Sequence, residues 1–153
     1  MSSVLFVCLG NICRSPTAEG VFRVMASKQG VAVSTDSCGT AGWHQGNPPD
    51  PRSQAAAKAA GYPIDDLRAR QVTLADFDRF DRVVAMDRQN LADLSALQPA
   101  GSRAELSLFL DFCDEPQDQV PDPYYGGDDG FAEVIRLVEL ASHGLLQALQ
   151  SKS

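Results

Sequence analysis

The chain has 153 residues, 44% of them apolar and 22% charged, with a formal net charge of −7. That length fits one domain, residues 1–153, burying roughly 70% of the surface its unfolded form exposes, and no segment approaches the ~20 apolar residues of a membrane span. The acidic balance argues against a nucleic-acid partner, because such binding releases counterions through basic patches; an anionic substrate must be gripped by a local positive field.

In chain order, Val4 to Val7 is a continuous β-branched and aromatic run, as a strand buried on both faces requires. No basic residue precedes it and no cleavage signature follows, so no secretory signal is expected and the cytoplasm is the default address. Ser15-Pro16 reads as an N-cap with proline in the first helical position, after which Ala18, Val21, Phe22 and Met25 recur at helical spacing until Gly30. Val31 to Cys38 reads as a second strand, and the loop from Gly39 to Pro49 carries the only tryptophan, Trp43. Asp50-Pro51 opens an alanine-rich helix that stops at Gly61.

A third strand is expected at Arg82 to Met86 with Asp87 at its carboxyl end, then a helix from about Gln89 to Leu97, a fourth strand around Glu105 to Phe109, and a last helix from about Asp129 that buries Phe131, Val134, Ile135, Val138 and Leu145. Strands alternating with helices predict an α/β fold: a four-stranded parallel sheet, doubly wound in three layers, flavodoxin-like. Ligands in such folds sit beyond the carboxyl ends of the strands, where this reading puts Cys8 and Asp87.

Cys8-Leu9-Gly10-Asn11-Ile12-Cys13-Arg14-Ser15 has the form C-x5-R-S between a strand and a helix. Five intervening residues let backbone N–H groups curl around one small anion. Gly10 permits unusual backbone geometry, Asn11 tolerates the left-handed region, and Arg14 can hold two oxygens at once. A thiol set among a helix N-terminus and a guanidinium is favoured as thiolate, the form that attacks phosphorus. Taken singly Cys8 reads as a small buried residue, as Cys38 and Cys113 do; its loop reverses that reading.

These residues resemble the low-molecular-weight protein tyrosine phosphatases from Val4 to about Leu149. Besides the first loop and helix, "DPR" at 50–52, "ARQVT" at 69–73, "MD" at 86–87 and "DPYY" at 122–125 recur in that family's order. The resemblance implies hydrolysis of phosphotyrosine and small aryl phosphates through a cysteinyl-phosphate, with no metal or other cofactor. Cys8 is then the nucleophile, Arg14 the phosphate clamp and Asp122 the general acid and base. Leu9, Gly10, Asn11, Ile12, Cys13, Arg14 and Ser15 bind phosphate, and Asn11, Ser15, Ser37 and Asp87 support the loop. Trp43, Tyr124 and Tyr125 become aromatic walls for a phenyl ring, and Cys13 a redox partner of Cys8.

The implied partners are tyrosine-phosphorylated proteins, with inorganic phosphate as product; no nucleic acid or membrane is involved, and a monomer is expected. One departure concerns Leu67, at a place where the family often carries a histidine supporting the loop asparagine. Two relatives in chemistry fit less well. Arsenate reduction relays oxidation through mid-chain cysteines, and none lies between 39 and 112. Arginine-phosphate hydrolysis is associated with threonine where this chain has Ile12. His44 and His143 lack ligand spacing and read as surface residues.

Overall fold

The computed structural model describes residues 2–124 and 128–151. A four-stranded sheet forms from β1 (Ser2–Cys8), β2 (Val33–Gly39), β3 (Arg82–Ala85) and β4 (Glu105–Leu108), in the order β2-β1-β3-β4 with every pairing parallel. Helices α1 (Arg14–Lys28), α2 (Pro51–Ala59), the short α3 (Asp76–Arg79), α4 (Arg88–Leu97) and α5 (Asp128–Ser151) supply the crossovers and cover both faces. The chain therefore has the doubly wound, flavodoxin-like arrangement.

The two-residue period of β1 divides the core. Val4, Phe6 and Cys8 face the cluster built by α1 and α5, whereas Leu5 and Val7 face Phe77, Phe80 and Leu94 on the other side. Phe6 anchors the first layer, with its ring 5.5 Å from Phe22 and 5.3 Å from Phe109, centroid to centroid. Phe131, Val134, Ile135, Val138 and Leu145 of α5 are buried there. Because β1 is buried at Val4, Leu5, Phe6 and Val7 alike, its continuous apolar pattern is the signature of a central parallel strand.

Two local expectations need correction. Helix α1 begins at Arg14, one residue before the expected cap, and its N-cap position, Cys13, makes no side-chain capping bond. Ser15 does not cap because its hydroxyl is committed to Cys8 and Asn11. The fourth strand stops at Leu108, and Phe109 turns into a 3-10 segment that runs to Phe112. Asp50 caps α2 as its sequence implies, accepting the Arg52 N–H at 2.8 Å, and Pro51 takes the first helical position.

Candidate active site

The carboxyl end of β1 opens onto a cleft of about 320 Å³, with Cys8 and Arg14 among its lining residues. The loop that leaves β1 is fixed from outside. Thr40 N–H donates to the Cys8 carbonyl at 2.9 Å, Ala41 N–H to Leu9 at 3.0 Å, and Asp50 N–H to Ile12 at 2.8 Å. In a trans peptide the carbonyl and the next N–H point opposite ways. Turning these carbonyls outward therefore turns the amides of Leu9, Gly10 and Cys13 inward, and the loop becomes a cup of positive dipoles.

Cys8 lies at the base of this cup, 3% exposed. Its sulfur accepts the Asn11 N–H at 3.3 Å and lies 3.0 Å from the Ser15 hydroxyl. Asn11 has φ of 58°, the only positive value for a non-glycine among the described residues. Its side chain holds that conformation: Nδ2 donates to Ser15 Oγ at 2.8 Å and to Ser37 Oγ at 3.0 Å, while Oδ1 accepts the Arg70 N–H at 3.0 Å. Leu67, partly buried against the core, offers no polar atom to this network; Ser37 and the Arg70 amide carry the support instead.

Arg14 is 4% exposed and is aimed by two acceptors, Asp87 Oδ2 at 2.7 Å and the Val120 carbonyl at 3.1 Å. Burial opposes its charge, but Cys8, Asp87 and Asp122 outweigh that and hold the guanidinium firmly protonated. Asp87 divides its oxygens, one for Arg14 and the other for the Asn90 N–H at 2.7 Å, where it caps α4. Across the cleft, Asp122 Oδ2 stands 3.8 Å from Arg14 Nη2, and its Oδ1 accepts the Tyr124 N–H at 3.0 Å.

Trp43, 73% exposed, and Tyr124 line the mouth. Tyr125 lies outside the described residues. Cys13 also lines the cleft, and burial first, with Asp50, Cys8 and Asp122 adding to it, pushes its thiol up to about 12. Cys38 is wholly buried and Cys113 partly so.

Sequence reasoning missed three groups. His44, read as a surface residue, lines the cleft, and its Cδ2 would lie 3.0 Å from a Cβ at Gly10, so the loop's glycine makes room for the imidazole. Arg70 grips Asp36 at 3.0 Å and Asp76 at 2.9 Å, which fixes the segment whose amide holds Asn11. Arg52 donates to the Tyr124 carbonyl at 2.8 Å and sits 5.5 Å and 4.8 Å from the ring centres of Tyr124 and Phe131, tying the Asp122 segment to α2. The histidine and "DPR" spacings carried no signal for these contacts, which join residues far apart in sequence.

Gly39 closes β2 beside the cup, where a Cβ would lie 2.5 Å from the Leu9 carbonyl oxygen and 3.0 Å from that of Ala41. Gly39→Ala is expected to destabilise the protein by about 2 kcal/mol and to lower kcat/KM by pushing the loop out of shape. Urea midpoints and phosphatase assays read both; unchanged values would show that the approach is not tight.

The family model described as low molecular weight phosphotyrosine protein phosphatase matches residues 3–153. The chain is 46% identical over 147 residues to the low molecular weight phosphotyrosine protein phosphatase of Schizosaccharomyces pombe, covering 93% of this chain and 94% of that one. It is 41% identical over 155 residues to a low molecular weight protein-tyrosine-phosphatase of Bacillus subtilis, covering 99% and 98%. Among solved structures, a protein tyrosine phosphatase from Entamoeba histolytica superposes with a TM-score of 0.95 at 37% identity, covering 99% of each chain.

Proposed function

The chain belongs to the low molecular weight phosphotyrosine protein phosphatase family and hydrolyses phosphotyrosine in proteins; from that premise we propose a two-step mechanism carried by Cys8, Arg14 and Asp122. The observation that supports it most is the meeting of the Cys8 sulfur, inward amides and the Arg14 guanidinium in one cup.

A phosphate dianion binds against the loop from Leu9 to Ser15, with Arg14 across two of its oxygens. The Cys8 thiolate attacks phosphorus in line with the phenolic oxygen. The S–P bond forms as the P–O bond breaks, and Asp122 passes its proton to the departing oxygen. Charge on the equatorial oxygens meets donors already oriented, so little reorganisation is needed. Asp122, now a carboxylate, takes a proton from water as its oxygen attacks the cysteinyl-phosphate. Inorganic phosphate leaves, and the sulfur departs as thiolate with the Ser15 hydroxyl donating to it. Asn11 and Ser37 hold Ser15 and the loop in place, and Asp87 aims Arg14.

Oxidation of the same sulfur by peroxide would give a sulfenic acid, which the Cys13 thiol converts to a disulfide with release of water. Because burial keeps Cys13 protonated, it resolves such an oxidation rather than initiating one. A thiolate enzyme needs a reducing compartment, which supports a cytoplasmic address; no helix among the described residues is long and apolar enough to cross a membrane. We take the active form to be a monomer.

Cys8 is buried while Trp43 and Tyr124 stand at the mouth, so the phosphorus must sit deeper than a short side chain can carry it. Matched peptides test the reading: phosphate release from phosphotyrosine is expected to exceed that from phosphoserine by about 10²-fold or more in kcat/KM. Equal rates would remove the argument from depth.

A further inference from the structure

Asp122 must bring its proton to one atom, the phenolic oxygen, yet its side chain stands 44% exposed at the rim of the cleft. An exposed side chain samples several rotamers, and holding one of them costs entropy. The contacts that order this segment begin at the phosphate loop. Asp50 N–H donates to the Ile12 carbonyl at 2.8 Å, which joins the start of α2 to that loop. The Asp50 carboxyl, 9% exposed, takes both arms of the Arg52 guanidinium, Nε on Oδ1 and Nη2 on Oδ2, each at 3.1 Å. Burial opposes the charge on Asp50, but the bonds from Arg52 outweigh it and hold the carboxyl below its usual range. Arg52 Nη2 donates again, to the Tyr124 carbonyl at 2.8 Å, and the guanidinium lies against the Tyr124 and Phe131 rings. Tyr124 in turn donates its N–H to Asp122 Oδ1 at 3.0 Å.

The acid is thus pinned on both sides. Upstream, Val120 donates its N–H to the Met86 carbonyl at 2.8 Å and accepts Arg14 Nη1 at 3.1 Å; downstream, Arg52 holds Tyr124 to the residue that is bonded to Ile12. The Tyr124 amide also selects which oxygen works. An N–H is better matched to the carbonyl oxygen of a carboxylic acid than to its hydroxyl, so the proton belongs on Oδ2, the oxygen 3.8 Å from Arg14 Nη2.

We infer that Arg52 is a positioning residue for proton transfer, clamping the Tyr124 backbone to the start of α2 so that Asp122 keeps Oδ1 occupied and presents the Oδ2 proton to the phenolic oxygen. This rests on Asp122 being the general acid. As the P–O bond breaks, its electron pair passes to the phenolic oxygen, which takes that proton; Arg52 touches neither atom. An exposed ion pair contributes little to stability, and the Arg52 side chain is 41% exposed. A surface role alone therefore leaves the rate unchanged when Arg52 is removed.

Comparison of two leaving groups tests this. In Arg52→Ala, kcat/KM for phosphotyrosine is expected to fall about tenfold, the scale of one charge-assisted hydrogen bond. For 2,4-dinitrophenyl phosphate, whose phenolate leaves without a proton, kcat/KM should stay within about twofold of wild type. Calorimetry should show affinity for inorganic phosphate within about twofold as well, because the phosphate loop keeps its own hydrogen bonds. Combining Arg52→Ala with Asp122→Asn should lose no more on phosphotyrosine than Asp122→Asn alone, since both act through one proton.

A wild-type rate on phosphotyrosine, equal losses on the two substrates, or multiplicative losses in the double variant would each overturn the role of Arg52; equal losses would show that it serves only the tyrosine at the mouth. If Arg52→Ala does not fold, Arg52→Lys carries the same comparisons, because lysine keeps a charge beside Asp50 but cannot fork across it and reach Tyr124 as well. If Asp122→Asn alone loses equally on both leaving groups, the failure lies with Asp122 as acid instead.

Discussion

Cys8→Ser is expected to reduce hydrolysis of phosphotyrosine and aryl phosphates by about 10⁴-fold or more while leaving phosphate binding intact. An alcohol at the base of the cup is a far weaker nucleophile near neutral pH than a thiolate, and among the described residues no base is hydrogen-bonded to this position. The Ser15 hydroxyl, 3.0 Å away, is no base, and the Asn11 amide is a donor. Donors stabilise an anion; they cannot take a proton from an alcohol. The outward-turned carbonyls and Arg14 are untouched by the substitution, so the oxyanion cup persists. Calorimetry with inorganic phosphate should show affinity equal to or above wild type, because one negative charge facing the dianion has gone. Normal turnover by Cys8→Ser would end the covalent mechanism, and lost phosphate binding would show that the sulfur holds the loop together.

The parts of this molecule that the sequence revealed are those governed by local rules. The buried run at Val4 to Val7, the Asp50-Pro51 helix start and the apolar stripe of α5 each follow from spacing or capping chemistry within a few residues. The C-x5-R-S loop belongs with them, since its residues are contiguous. Ser15 shows how such rules fail. By propensity it is a good cap, but the nearest competitor for its hydroxyl is a sulfur placed by the same loop, and helix α1 starts without it. The four residues of α3 give too short a period to read. The supports of the site were hidden for another reason. Arg70 reaches Asp36 across 34 residues and Arg52 reaches the Tyr124 carbonyl across 72, and such pairings exist only once the fold has brought these segments together.

Asp122→Asn should produce the second large effect, and its signature lies in dependence on the leaving group. A tyrosine phenol has a pKa near 10, so its phenolate leaves slowly without a proton, whereas a dinitrophenolate leaves readily unaided. With Asn at 122, kcat/KM for phosphotyrosine should fall about 10²- to 10³-fold, while for 2,4-dinitrophenyl phosphate the loss should shrink to about threefold. The amide is nearly isosteric and can still accept the Tyr124 N–H, and Arg52 continues to hold the Tyr124 carbonyl, so the segment keeps its place. The same variant has no base for the attacking water. With the activated substrate, formation of the cysteinyl-phosphate should therefore outrun its hydrolysis, and the intermediate should accumulate as a burst of phenol. A uniform loss across leaving groups would instead make Asp122 a binding residue, acting only through its position 3.8 Å from Arg14.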